Sequence, residues 1–146
     1  IKSKINEVIK TRYLKNNDID FNLVNIELSC TSVSAVDKAT QVVKQSLVGL
    51  PIEDIQERLA IVATLLTKPS QENAQDVSMR IKSLATALSD HPADIAIYSI
   101  EQIKKYKKFW PSYSEFYEHI GWRETKRLKL LTSLLNKRLE LTALMQ

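Results

Sequence analysis

The chain has 146 residues, a net charge of +4, two glycines and one cysteine, and 44% of its residues are hydrophobic. That is about one domain's length, able to bury a core without staples, and the lone Cys30 excludes an intrachain disulfide framework or a multi-cysteine zinc site. Two glycines are too few for several hairpins, no apolar run approaches the roughly 18 residues of a membrane span, and a single thiol is compatible with a reducing, cytoplasmic setting.

In chain order, Ile1, Ile5, Val8, Ile9 and Leu14 recur at helical spacing, as at the end of a leading helix. The chain starts on Ile1 and not Met, which suits a fragment of a longer protein: a single helical domain over 1–146, with 1–15 closing that leading helix and 32–146 forming the main core. Asn16, Asn17 and Asp18 stop the first pattern. Residues 19–30 alternate in two opposed registers, giving an irregular or strand-like stretch. Ser32 or Ser34 then caps a helix with the stripe Val36, Ala39, Val42, Val43 and Leu47, and Gly49 ends it. Pro51 opens the next, with Glu53 and Asp54 at its positive end and Ile55, Leu59, Val62 and Leu66 inward.

Ser70 is the expected cap of a helix to about Ser89 that buries Val77, Ile81, Leu84 and Leu88. In "SDHPAD", Asp90 or His91 caps and Pro92 begins a helix to about Lys108, with Ile95, Ala96, Ile100 and Ile103 inward. After "FWP", Ser112 and Glu115 have the spacing of a capping box, predicting a short helix over 113–120 that Gly121 terminates. A last helix spans about 122–145. The fold class is all-α, a bundle of six or seven short helices.

No catalytic constellation emerges, and neither an enzyme nor a cofactor is expected. His91 reads as a cap. His119 and Glu115 share a helix face but lack a third metal ligand, and Gly-rich phosphate loops and nucleophile elbows are absent from the sequence.

The charge is uneven: residues 1–100 sum to −1 and residues 101–146 to +5. The stretch 104–127 holds seven of the ten aromatic residues and seven of the 21 Lys and Arg. On a wheel of about 100° per residue, Lys104, Lys105 and Lys108 lie opposite the core face. With Arg123, Lys126, Arg127 and Lys129 they read either as a solvated face or as sequence-independent, salt-sensitive phosphate contacts. The candidate nucleic-acid set is Lys104, Lys105, Lys108, Arg123, Lys126 and Arg127. Interleaved aromatics can stack single-stranded bases, but rings as large as Phe109, Trp110, Phe116 and Trp122 are expected mostly as core anchors.

Apolar residues of the last helix cover roughly 220° of its wheel, wider than an ordinary surface stripe. Such a helix is buried on two sides, either as the central helix of the bundle or against a partner helix. Leu130, Leu134, Leu141 and Met145 form the candidate partner interface, facing another protein or a second copy.

"SDHPADIAIYSIEQIKKYKKFWPSYSEFYEHI", residues 89–120, resembles small helical phage and prophage replication accessory proteins of the helicase-loader type. The resemblance implies a non-enzymatic adaptor that holds a protein partner, a replicative helicase or an origin protein. It excludes the ATPase loaders, since the sequence has no ATP-binding motif. The alternatives are a direct DNA- or RNA-binding protein using the basic last third, and an oligomerisation or structural domain of a larger chain.

Overall fold

The computed structural model describes residues 32–68 and 72–144; the expectations for 1–15 and 19–30, the Ser70 cap and Met145 lie outside the described residues. Five α-helices follow in order: α1 (Val33–Ser46), α2 (Ile52–Leu65), α3 (Ala74–Leu88), α4 (Ala93–Tyr106) and α5 (Tyr113–Leu144). The all-α class holds. The count of six or seven does not, among the described residues, because the two helices expected on either side of Gly121 are one.

That merger has a clear cause. A helix-interior glycine costs about 1 kcal/mol, whereas fully burying one large apolar side chain returns about 1.5–3 kcal/mol. Phe116 and Ile120 before Gly121, and Leu130 and Leu134 after it, lie on one continuous face and are all buried. Gly121 has no positive φ, and its bare Cα leaves room for the Tyr117 ring, which would stand 2.9 Å from an added Cβ. At 32 residues, α5 is about 48 Å long.

α5 spans two apolar clusters. The first gathers Ile55, Leu59 and Leu66 of the α2 region, Leu84 and Leu88 of α3, Ile95, Ile100 and Ile103 of α4, and Phe116 and Ile120 from the start of α5. The second packs Val36, Ala39, Val42 and Val43 of α1 against Leu130 and Leu134. α5 packs against both α1 and α4, and the start of α4 is the most enclosed stretch, with Ala93 to Ile97 buried without interruption.

The ends are set locally. The Ser32 side chain accepts from the Ala35 N–H at 3.1 Å and caps α1. Asn73 caps α3 in a full capping box, its side chain accepting from Asp76 N–H at 2.9 Å while Asp76 accepts from Asn73 N–H at 3.3 Å. Pro51 and Pro92 occupy the N-cap positions of α2 and α4 without a side-chain cap. Gly49 is needed for close approach, since a methyl there would run into the Ser89 carbonyl oxygen. Beside it, Ala93 N–H donates to Val48 O at 2.9 Å. One backbone bridge pairs Thr67 with Phe109, placing the end of α2 next to the α4–α5 connection.

Candidate protein-docking site

Two of the six residues proposed from sequence as phosphate contacts are structural. Arg127 is 1% exposed. Its guanidinium donates to both oxygens of buried Asp94, at 2.7 and 2.5 Å, and to the Ser46 carbonyl at 2.9 Å. One side chain thus ties α5 to the start of α4 and the end of α1, at the seam between the clusters. Arg123, also buried, donates to His119 O at 2.8 Å and to the Tyr98 hydroxyl at 2.9 Å. Its guanidinium carbon lies 4.1 Å from the ring centres of both Tyr98 and Trp122. Both arginines occupy core positions of the inward α5 stripe, which composition alone reads as a basic face.

The lysines lie outside. Lys104 pairs with Glu101 at 3.1 Å. Lys105 is exposed, Lys108 is exposed with its ammonium 5.8 Å from the Phe109 ring centre, and Lys126 is exposed 5.0 Å from the Trp122 centre.

The expectation that Phe109, Trp110, Phe116 and Trp122 are mostly core anchors is overturned at two positions. Phe116 is buried and Trp110 packs half-buried on the first cluster, but Phe109 is 63% and Trp122 50% exposed, and neighbouring Tyr106 is 76% exposed. The bridge explains Phe109. Thr67 N–H donates to Lys108 O and Trp110 N–H donates to Thr67 O, both at 2.9 Å. The extended backbone this enforces turns consecutive side chains to opposite sides, so Trp110 faces the core and Phe109 faces water. Just beyond it, a cavity of about 450 Å³ opens between α3 and the start of α5. Leu84, Trp110 and Pro111 supply apolar wall, and Arg80, Ser83 and Ser112 supply polar groups. The indole Nε1 of Trp110 is buried and has no hydrogen-bond partner.

Tyr113, also on the cavity wall, ends a chain of three side chains that the sequence leaves far apart. His91 Nδ1 is 2.5 Å from Glu124 Oε2, and His91 Nε2 is 2.6 Å from the Tyr113 hydroxyl. An ionised carboxylate only accepts, so Nδ1 carries the proton, and in the neutral tautomer Nε2 accepts from the phenol. Burial, and then the neighbouring Tyr117, Glu124 and Asp90, push the Tyr113 phenol above its usual range. That is the wrong direction for a nucleophile. His91 is therefore a clasp between the α3–α4 turn and α5, not the cap expected of it. No sequence signal reports such a clasp, because its members are 22 and 33 residues apart.

Comparison with family models, curated proteins and solved structures finds no match to this chain.

The metal-like pair of Glu115 and His119 is occupied otherwise. Glu115 accepts from the Ser112 N–H at 2.9 Å and pairs with Lys107 at 3.5 Å, and His119 meets the edge of Tyr98. Among the described residues no three potential ligands converge.

The interface expected on the last helix turns inward. Leu130 and Leu134 are buried in the α1–α5 seam and Leu141 packs half-buried against it, so these three form intramolecular core. The other side of the broad apolar arc is the one left open: Leu128, Leu135 and Leu139 are exposed.

Proposed function

We propose that this chain is a non-enzymatic helical adaptor that holds a protein partner at the α4–α5 junction, in phage-type DNA replication. The carrying observation is the solvent-facing pair Tyr106 and Phe109, 76% and 63% exposed, on a connection that is itself held rigid by the Thr67 bridge. Large aromatics on a preformed surface supply binding area at little entropic cost, and such residues dominate interface energetics. The electrostatics favour protein over nucleic acid. With Arg123 and Arg127 committed inside the fold and Lys104 paired, only three of the six candidate cations remain for phosphates, and nucleic-acid affinity scales with the phosphates neutralised. The replicative helicase or origin protein named as partner rests on the resemblance of residues 89–120.

A second reading has its own observation. Lys108 beside Phe109 and Lys126 beside Trp122 are cation–ring pairs of the kind that grip single strands.

One experiment separates them. Titration calorimetry with a purified phage-type replicative helicase should show binding that Tyr106→Ala/Phe109→Ala weakens by about tenfold or more, with melting unchanged. Tight, steeply salt-dependent binding of a single-stranded oligonucleotide, lost in Lys105→Glu/Lys108→Glu/Lys126→Glu, together with no helicase binding, would replace the adaptor by the nucleic-acid reading. Self-association through the open side of α5 is checked by sedimentation across a concentration series, where Leu135→Asp should abolish any dimer.

A further inference from the structure

Two stripes run along α5, each advancing by alternating steps of four and three residues. The buried one is Phe116, Ile120, Arg123, Arg127, Leu130 and Leu134, on the side that packs against α1 and α4. The other lies on the opposite side of the helix: Gly121, Thr125, Leu128, Thr132, Leu135, Leu139 and Thr142. Ten of the 32 residues of α5 are charged, yet none of these seven is. Thr125, Leu128, Thr132, Leu135 and Leu139 are all exposed. The stripe stops at Glu118, the next position of the repeat toward the N-terminus.

A repeat of 3.5 residues stays in line only along a helix that supercoils around another. The polar atoms on this seam are already accounted for in part. The Thr132 hydroxyl donates to Leu128 O at 3.1 Å and the Thr142 hydroxyl to Arg138 O at 2.8 Å, so covering them strands no donor. From Gly121 to Thr142 the seam is about 33 Å long. A helix that covers it must be comparably long, and among the described residues no helix other than α5 exceeds 15 residues.

We propose that α5 pairs with α5 of a second copy of this chain as a parallel, in-register two-stranded coiled coil. In heptad terms Gly121, Leu128, Leu135 and Thr142 take the d positions, and Thr125, Thr132 and Leu139 take the a positions. Leucine at d with a β-branched residue at a favours two parallel strands; Leu139 alone among the three a positions departs from it. The flanking charges are self-complementary. Glu124 at g and Lys129 at e are five residues apart, the separation at which g and e meet across a parallel pair. Glu124 therefore meets the second copy's Lys129, and the two-fold symmetry repeats the contact. Glu124 holds His91 through Oε2 and has a second oxygen to accept, while Lys129 is exposed.

No like charges meet across the seam. Arg138, the other charged flanking residue, is paired with Asp37 at 2.7 Å and stands opposite Ala143. An antiparallel pair lacks the match, since aligning Leu128 with Leu139 sets Lys129 beside Asn136. A strip about 33 Å long and about 10 Å wide on each copy makes a weak, reversible interface and not an obligate one. That suits a chain whose two apolar clusters are both intramolecular. The pairing does not depend on the adaptor reading, but a dimer carries two Tyr106 and Phe109 faces and holds a symmetric partner at two points.

The test is sedimentation equilibrium of the full chain from about 5 to 500 µM. The mass should rise with concentration from the 16.7 kDa of one chain toward twice that, and the melting temperature should rise with it. Leu128→Asp and Leu135→Asp should each weaken the dimer about tenfold or more. Both sites are exposed, so melting of the dilute chain should not change. Leu144→Asp, exposed on α5 but off the seam, should leave the dimer intact. Thr125→Ile/Thr132→Ile should tighten it about tenfold or more, a gain that a damaged fold does not imitate.

Orientation is read in Cys30→Ser/Thr142→Cys treated with oxidised glutathione. The parallel pair brings the two new thiols side by side and links the copies, whereas the antiparallel pair keeps them about 25 Å apart. A mass of one chain throughout the series overturns the proposal, whether the strip stays in water or another part of the chain covers it. A dimer indifferent to Leu128→Asp and to Thr125→Ile/Thr132→Ile overturns it too, as does a dimer in which Thr142→Cys does not link.

Discussion

Replacing Arg127 by Met tests whether the most buried cation among the described residues is a structural tie or a ligand contact. The substitution nearly conserves length and removes the guanidinium. It deletes two charge-assisted hydrogen bonds to Asp94, at 2.7 and 2.5 Å, and one to the Ser46 carbonyl at 2.9 Å. What remains is a carboxylate 4% exposed with its guanidinium partner gone. Breaking a buried pair from one side costs about 3–5 kcal/mol. For a domain of this size that is about 10–20 °C in melting temperature and a large share of a typical total stability of about 5–15 kcal/mol. Urea unfolding followed by far-UV circular dichroism measures it. The double variant Arg127→Met/Asp94→Leu should recover most of the loss, because both charges then leave the interior together. It should stay about 0.3–1 kcal/mol short, since Asp94 lies in the first turn of α4 and favours that helix end. A single variant within about 1 kcal/mol of wild type, or a double variant no better than the single, would refute the tie. A phosphate ligand would behave the other way, losing nucleic-acid affinity with melting intact.

Gly121→Ala should stabilise the chain by a few tenths to about 1 kcal/mol, because alanine is the better helix former and the contact at 2.9 Å is with the half-exposed Tyr117 ring, which can rotate away; a loss above about 1 kcal/mol in urea unfolding would mean that the helix needs a glycine there. Glu115→Ala should cost about 1 kcal/mol and Ser112→Ala distinctly less, since the Glu115 carboxylate takes the Ser112 N–H while the Ser112 hydroxyl is turned to Ser114; equal losses by thermal melting would show that both halves of the box operate. Burial, then the nearby Arg123, lower the His119 pKa below its usual 6.5. The unfolded chain therefore takes up that proton first, so stability should fall as pH drops through about 6.5 and stop falling below the folded value. The difference between wild type and His119→Gln in urea midpoint, measured from about pH 7 to 5, should show this slope, and a difference that does not change with pH would remove it.

Local pattern by itself determined most of the helices. The stripes of α1 to α4, the Ser32 cap and the prolines before α2 and α4 are encoded within a few residues, because apolar spacing and end chemistry act over one or two turns. Gly121 was misleading, since its local cost is small beside the burial on both sides of it, and that burial exists only once α4 and α1 pack along α5. The arginines show the same divide. Composition places Arg123 and Arg127 on a basic surface, and only their tertiary neighbours, Tyr98, Asp94 and the Ser46 carbonyl, make them part of the interior. The candidate site belongs almost wholly to the tertiary structure. "FWP" marks a junction, but that Phe109 faces water while Trp110 walls a cavity follows from a backbone bridge to Thr67, 42 positions earlier in the chain. A contact between such distant residues leaves no periodicity in the sequence, because it is set by how the helices stack and not by the residues adjacent to either partner.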